Sequence, residues 1–144
     1  MLDPADRDLV AAARDAIRTR YRSGWHVVGA ALRTRRGRVF TGVHLEASVG
    51  RIAVCAEAIA LGRAATEAGD TDIAAIVAVY HADPGTHSAA PAIVAPCGMC
   101  REMIADYAPT ARVILPGADG QGVAAAIGDL LPMRFARPGT APAV

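Results

Sequence analysis

Cys55-Ala56-Glu57 and, further along, Pro96-Cys97-Gly98-Met99-Cys100 decide how this chain is read. Together they hold all three cysteines of the 144-residue sequence and one carboxylate two places after the first of them. Three soft thiolates suit zinc, and a catalytic zinc site typically has three protein ligands with its fourth position open. A carboxylate beside that position, but off the metal, is what a proton-shuttling hydrolase needs. Cys97 and Cys100 are three apart, a spacing that puts both sulfurs on one face of a helix. Cys55 and Cys97 each open a segment that reads as a helix, where unpaired backbone N–H groups and the helix dipole favour thiolate. Glu57 cannot share the helix face of Cys55, yet it reaches the space in front of the helix end. The expected centre is therefore one Zn2+ per subunit on Cys55, Cys97 and Cys100, with Glu57 as the catalytic carboxylate.

Two blander readings compete. A closed four-ligand zinc site would need His26, His44, His81 or His87 as its last ligand. None of them stands at a zinc-finger spacing, and such a site leaves Glu57 without a role. A thioredoxin-like use of Cys97 and Cys100 leaves Cys55 over.

Working outward, residues 3 to 22 read as a helix, with Asp3 as N-cap, Pro4 at the first position and Asp6 at the positive end. Leu9, Ala13, Ile17 and Tyr21 supply its apolar face. Val27 to Leu32 and Arg38 to Val43, around Thr34-Arg35-Arg36-Gly37, read as a β-hairpin. Residues 54 to 68 read as a second helix closed by Gly69-Asp70. Ile73 to Tyr80 is nearly all apolar, as a strand covered on both faces would be. His81 to Ala95 reads as a long loop bordering a site, with His81 and His87 in solvent. Residues 97 to 107 read as a short helix and Arg112 to Leu115 as a strand. Gly117 to Gly120 reads as a turn, Gln121 to Ala124 as a last strand, and a helical turn precedes Leu130-Leu131-Pro132. This order predicts an α/β fold with helices on both faces of one mixed sheet. A single domain is expected over 1–135, with a flexible C-terminal tail over 136–144.

Composition removes whole classes of function. A formal charge of +1 gives no field toward nucleic acid or an anionic membrane. With 4% aromatics there is little from which to build a base-stacking platform, so the arginines at 33, 35, 36 and 38 read as a soluble edge. No apolar run approaches the ~20 residues that span a bilayer, and the acidic start lacks the pattern of a signal peptide. An odd count of cysteines argues against a disulfide scaffold and for reduced thiols in the cytoplasm.

The chain resembles the cytidine deaminase family, including its blasticidin S deaminase relatives. The matching pieces run in order from about residue 21 to 135: Val28-Gly29-Ala30-Ala31-Leu32, Phe40-Thr41-Gly42-Val43, Glu46, Cys55-Ala56-Glu57, Pro96-Cys97-Gly98-Met99-Cys100-Arg101, and Leu130-Leu131-Pro132 with Phe135. The paired cysteine motifs carry the zinc deaminase pattern. Cys55, where other branches have histidine, points to the branch acting on free nucleosides. The resemblance implies a three-layer α-β-α sandwich with a five-stranded mixed sheet, a homotetramer, and hydrolytic deamination of cytidine or a cytidine-like aminopyrimidine nucleoside with release of ammonia. The alternatives it leaves are a blasticidin-S-like deaminase of a modified nucleoside and a non-catalytic zinc-binding member of the fold. It implies a substrate pocket with the Ala56 backbone against the pyrimidine, Glu46 on a ribose hydroxyl, and Phe135 reaching a neighbouring subunit.

The departures fall around the substrate. His44 stands where the family has an asparagine, His26 where it has a phenylalanine beside the base, and Ala47 where it has another asparagine. Ala58 replaces an arginine that commonly offsets the three thiolates. Helix N–H groups, Arg51 or Arg101 must then supply the compensation. The expectation is an intact reaction centre in an altered sugar and base pocket, with His26 and His44 among the substrate contacts.

Overall fold

The computed structural model describes residues 1–83, 90–118 and 120–139. His87, Asp119 in the expected turn, and residues 140–144 of the expected tail lie outside the described residues. The first helix, Pro4–Arg20 (α1), starts as its cap chemistry dictates: the Asp3 carboxylate accepts the Asp6 N–H at 2.8 Å and a proline opens the first turn. A hairpin follows, Val28–Thr34 (β1) and Val39–Val43 (β2), paired antiparallel from Gly29↔Val43 to Arg33↔Val39. Then come Ala56–Arg63 (α2), which widens into a π-turn over Ala64–Ala68, and the central strand Ile73–Tyr80 (β3). The rest is Ala92–Val94 (β4), Gly98–Tyr107 (α3), Arg112–Leu115 (β5), Val123–Ala126 (β6) and a 3₁₀ turn at Ile127–Leu130.

The sheet runs β2-β1-β3-β5-β6, with β3–β5 parallel and the other neighbours antiparallel. It has six strands where five were expected. The extra one, β4, falls inside the stretch read as a loop. It occupies no new place across the sheet: β5 pairs with the first half of β3 (Ala75 to Val77), and β4 pairs with the second half (Ala78 to Tyr80) on the same edge. The last strand also lies two residues later than its sequence reading, after Gly122 at φ +89°.

Alternation along the strands sorts the side chains into two layers of core. Leu32, Ile76 and Val113 face α2 and α3, where they meet Leu61 and Ile104. Ala31, Val77 and Ile114 face α1, where they meet Leu9 and Ile17. This is the expected three-layer arrangement. Two glycines let the helices sit tightly on the sheet. A Cβ on Gly29 would lie 2.7 Å from the Ala13 carbonyl oxygen of α1, and one on Gly42 would lie 2.6 Å from the Ala56 carbonyl oxygen of α2.

Asp6 does more than meet a helix dipole. It is fully buried and accepts from Arg33 at 3.1 Å and Arg112 at 2.8 Å, tying α1 to β1 and β5. Arg33 and Arg35, read as a solvated edge, are thus ion-paired, Arg35 with Asp72 at 3.1 Å. His81 packs its ring at a tilt against Tyr21, centroids 4.9 Å apart, and is half-buried rather than solvated. No helix among the described residues is long and apolar enough to cross a membrane.

Candidate active site

Two helix N-termini build the site. Cys55 is the N-cap of α2 and Cys97 the N-cap of α3, both with extended backbone, so each sulfur stands at the mouth of its helix. Cys100 sits in the first turn of α3, buried, and all three Sγ atoms lie within 4.8 Å of one another. Cys55 Sγ and Cys97 Sγ are 3.6 Å apart. Zn–S bonds of about 2.3 Å at tetrahedral angles place sulfurs roughly 3.8 Å apart, so the trio fits one zinc ion. No other group of three or more metal-ligating side chains forms among the described residues.

Burial pushes the Cys55 and Cys100 thiols up; Cys97 adds to the rise at Cys55, and Glu57 and the other two sulfurs add to it at Cys100. Cys97 differs. Burial also works against its thiolate, but the Cys100 backbone N–H and the two neighbouring thiols outweigh it, and its pKa is lowered. Neither N-cap sulfur makes a well-directed capping hydrogen bond to its helix; the N–H groups act here through proximity. Without metal the site opposes three simultaneous thiolates, and a divalent cation is what the donor set lacks.

Glu57, in the first turn of α2, is 5% exposed. Burial raises its carboxyl above the ordinary range, opposed by its own backbone N–H and by Cys100. It shares with Cys55 and Cys97 a cavity of about 230 Å³. The walls are apolar: Val28 from β1, Ala53 and Val54 before α2, and Val94 and Ala95 from β4 and its exit. Small residues make room, since Ala56 packs on Ala30 of β1 and Ala78 of β3. Larger open space between α1, β2 and α2 contains none of the cysteines.

Of the sequence-proposed pocket residues, the fold brings His44 and Ala56 to this cavity. Glu46, His26 and Phe135 are not among its lining residues. Glu46 is exposed, its Oε1 accepting the Ala47 N–H at 2.9 Å. His26 Nδ1 donates to the His44 carbonyl at 2.8 Å. Phe135 is 74% exposed. Three further residues shape the site in ways the sequence does not declare. Val94 and Ala95 were assigned to a loop, although the apolar triplet Ala92-Ile93-Val94 just before the Pro-Cys motif was a signal for a short strand. Arg101 was considered only as a charge. Its guanidinium donates to the Pro96 carbonyl at 3.0 Å and the Leu130 carbonyl at 3.1 Å, so it fixes the approach to Cys97.

Residues 4–115 match the model of the cytidine and deoxycytidylate deaminase zinc-binding region. The chain is 42% identical over 132 residues to the blasticidin-S deaminase of Bacillus cereus, covering 92% of this chain and 93% of that protein. Among solved structures it is similar to the cytidine deaminase of Burkholderia pseudomallei (34% identity, TM-score 0.70, 89% of this chain and 97% of that one). It is also similar to that of Mycobacterium leprae (25% identity, TM-score 0.72, 91% and 100%).

Proposed function

The chain belongs to the cytidine and deoxycytidylate deaminase zinc-binding family and is a zinc-dependent nucleoside deaminase; from that premise we propose that its cavity takes cytidine or a cytidine-like aminopyrimidine nucleoside. The observation that carries the reading is Glu57: a buried carboxyl, raised by its burial, in the same small cavity as the sulfur trio. A purely structural zinc site has no use for it.

Cys55, Cys97 and Cys100 would hold the metal. Zinc bound there would lower the pKa of water to about 7 and so supply hydroxide at neutral pH. Glu57 would take one proton of the water and deliver it to the ring nitrogen, then carry the proton of the newly added hydroxyl to the departing amine, leaving a carbonyl. One C–O bond forms at the amine-bearing carbon, its C–N bond breaks, and ammonia leaves. The apolar walls lower the polarity around the reacting groups, which strengthens the charge interactions of each step. The Ala56 backbone, at the cavity, is suited to the pyrimidine edge.

A blasticidin-S-like substrate is the second reading. It is favoured by the 42% identity to a blasticidin-S deaminase, against 34% to the Burkholderia cytidine deaminase, and by a sugar side altered at His44. Further parts of the proposal are a homotetramer, a cytoplasmic setting and a role in pyrimidine salvage. The exposed apolar side chains Leu45, Val49, Ile52 and Phe135 support assembly, with Phe135 placed in a neighbouring subunit's pocket and Glu46 turned toward the sugar there. Three free cysteines support a reducing compartment.

Glu57→Gln tests the mechanism. The variant should keep one zinc per chain and lose turnover of cytidine and blasticidin S, followed by ammonia release. Parent-level activity in it would refute the role of Glu57.

A further inference from the structure

The two faces of the sheet are covered unequally. α2 and α3 pack on one face, and α1 is the only helix on the other among the described residues. Beside α1 lies a cavity of about 320 Å³, within the ~300–1,000 Å³ typical of small-molecule sites. Its floor is Leu2 and Val10, both buried, and its far wall is the Gly120-Gln121 turn before β6. The chain lies low there because Gly122 has no side chain. A Cβ on it would stand 2.8 Å from Ile93 Cδ1 and 3.2 Å from both Ile114 Cγ2 and Leu2 Cδ1.

Arg7 and Arg14 of α1 also line this cavity. Seven residues make about two helical turns, so both lie on one face with Val10 between them. Each is pinned by a backbone carbonyl: the Arg7 guanidinium donates to that of Leu2 at 2.6 Å, and Arg14 Nε to that of Pro91 at 3.0 Å. Arg33, Arg35, Arg63, Arg112 and Arg134 are paired with carboxylates. Arg7 and Arg14 have no such partner among the described residues; the nearby Asp3 carboxylate accepts the Asp6 N–H and faces Arg112. A guanidinium carries five N–H donors, so most of each fork remains for a ligand.

β4 ties this cavity to the reaction centre. Pro91, which holds Arg14, immediately precedes it. Ile93 packs into the α1-side core with Leu2 and Val10, whereas Val94 packs against the Ala56 cluster and, with Ala95, lines the cavity of Cys55, Glu57 and Cys97. One three-residue strand thus has a cavity on either side.

We infer that the groove beside α1 is an effector site for a small organic phosphate. The phosphate oxygens take the free N–H groups of Arg7 and Arg14, the apolar body lies on Leu2 and Val10, and occupancy is felt at the reaction centre through Arg14, Pro91 and β4. Planar guanidinium forks match phosphate oxygens two at a time, and forks already anchored lose less freedom on binding. Two cations also favour the doubly charged phosphate over a carboxylate. The binding is independent of the deaminase reading; the coupling rests on it.

Calorimetric titration of the zinc-loaded protein with phenyl phosphate tests the site. One probe should bind per chain, roughly tenfold or more tighter than inorganic phosphate, which lacks the apolar body, and tighter than phenylacetate. Arg7→Gln and Arg14→Gln should each weaken it about tenfold or more, with parent zinc content and a cooperative urea transition showing that the variants are folded. Parent affinity in both variants, or phenylacetate binding as tightly as phenyl phosphate, would overturn the site. In the kinetic arm, phenyl phosphate should shift the KM for cytidine at least about twofold to a plateau in the parent and not in Arg14→Gln. A KM that rises without limit would mean competition at the zinc centre, and a constant KM at saturating occupancy would overturn the coupling. Absence of ammonia from cytidine and blasticidin S in the parent would overturn the deaminase reading and the coupling with it, while calorimetry still decides the site.

Discussion

Replacing Gly42 with alanine perturbs the active site from the far side of a helix, and its size can be worked from the packing. The added Cβ would lie 2.6 Å from the Ala56 carbonyl oxygen, 2.7 Å from the Ala60 nitrogen and 2.9 Å from Ile59 Cβ. All three belong to α2, and two are backbone atoms that cannot rotate away. Restoring ordinary van der Waals separation asks α2 to retreat from β2 by roughly 0.5–1 Å. Overpacking of this kind costs about 1–3 kcal/mol. The displacement is also directional. α2 carries Cys55 and Glu57, whereas Cys97 and Cys100 ride on α3, so the retreat pulls one ligand and the proton carrier away from the other two sulfurs. A misplacement near 1 Å can cost on the order of a hundredfold in rate. Gly42→Ala should therefore lower the urea midpoint, weaken zinc in competition with a chromogenic chelator, and reduce kcat even at saturating zinc. Gly62→Ala is the matched control. It lies in the same helix with nothing within 4 Å of the new methyl, and relief of glycine's helix penalty should stabilise by up to about 1 kcal/mol. Opposite signs are expected from the same chemical change. A Gly42→Ala protein with the parent's midpoint and kcat would refute the close-approach argument.

The remaining predictions concern the metal and its support. Elemental analysis should find one zinc per chain, and stripping it with a chelator should lower the thermal midpoint, because binding to the folded trio is folding free energy. Cys100→Ser should reproduce that loss and remove further sensitivity to chelator; full zinc occupancy in this variant would sink the ligand assignment. Arg101→Ala should destabilise by about 1–3 kcal/mol and weaken zinc, by freeing the Pro96 and Leu130 carbonyls. Arg101→Lys should rescue little, since an ammonium lacks the planar fork that reaches both oxygens. Rescue by lysine would mean that charge alone was needed.

The reaction centre was legible in the sequence because its information is local. An N-cap cysteine, a glutamate in the next turn and a C-x-x-C at a second helix start each report their geometry through spacing, and the fold had only to bring two helix ends together. The long strands were legible for a similar reason: Val27 to Leu32 and Ile73 to Tyr80 are apolar runs long enough to declare themselves. What was not legible is information held between distant segments. β4 has three residues, too few to show a period, and it exists because the second half of β3 offers a free edge beyond β5. Asp6 reads as a dipole partner until Arg33 and Arg112 arrive from β1 and β5. The Val27 and Val28 N–H groups meet the Nδ1 of His44 across a hairpin, a contact that composition does not show.

Charge balance shows how such nonlocal information changes a conclusion. Three thiolates and one zinc ion sum to −1, and Ala58 takes the place where an arginine would cancel it. Counting side chains leaves the deficit only partly met: Arg51 is exposed in a 3₁₀ turn, and Arg101 keeps its charge but turns its guanidinium to the Pro96 and Leu130 carbonyls. The backbone closes it. Each helix N-terminus is equivalent to roughly +0.5 of an elementary charge, and the effect falls off within the first turn. Here two N-termini converge, with Cys55 and Cys97 as the caps themselves and Cys100 and Glu57 within the first turns. Two such half-charges make up about the single charge that the missing arginine would have supplied. At Cys97 the Cys100 backbone N–H of α3 is one of the groups that lower the thiol's pKa. The arrangement that builds the ligand set is therefore also the one that offsets its charge, and position 58 is free to be an alanine.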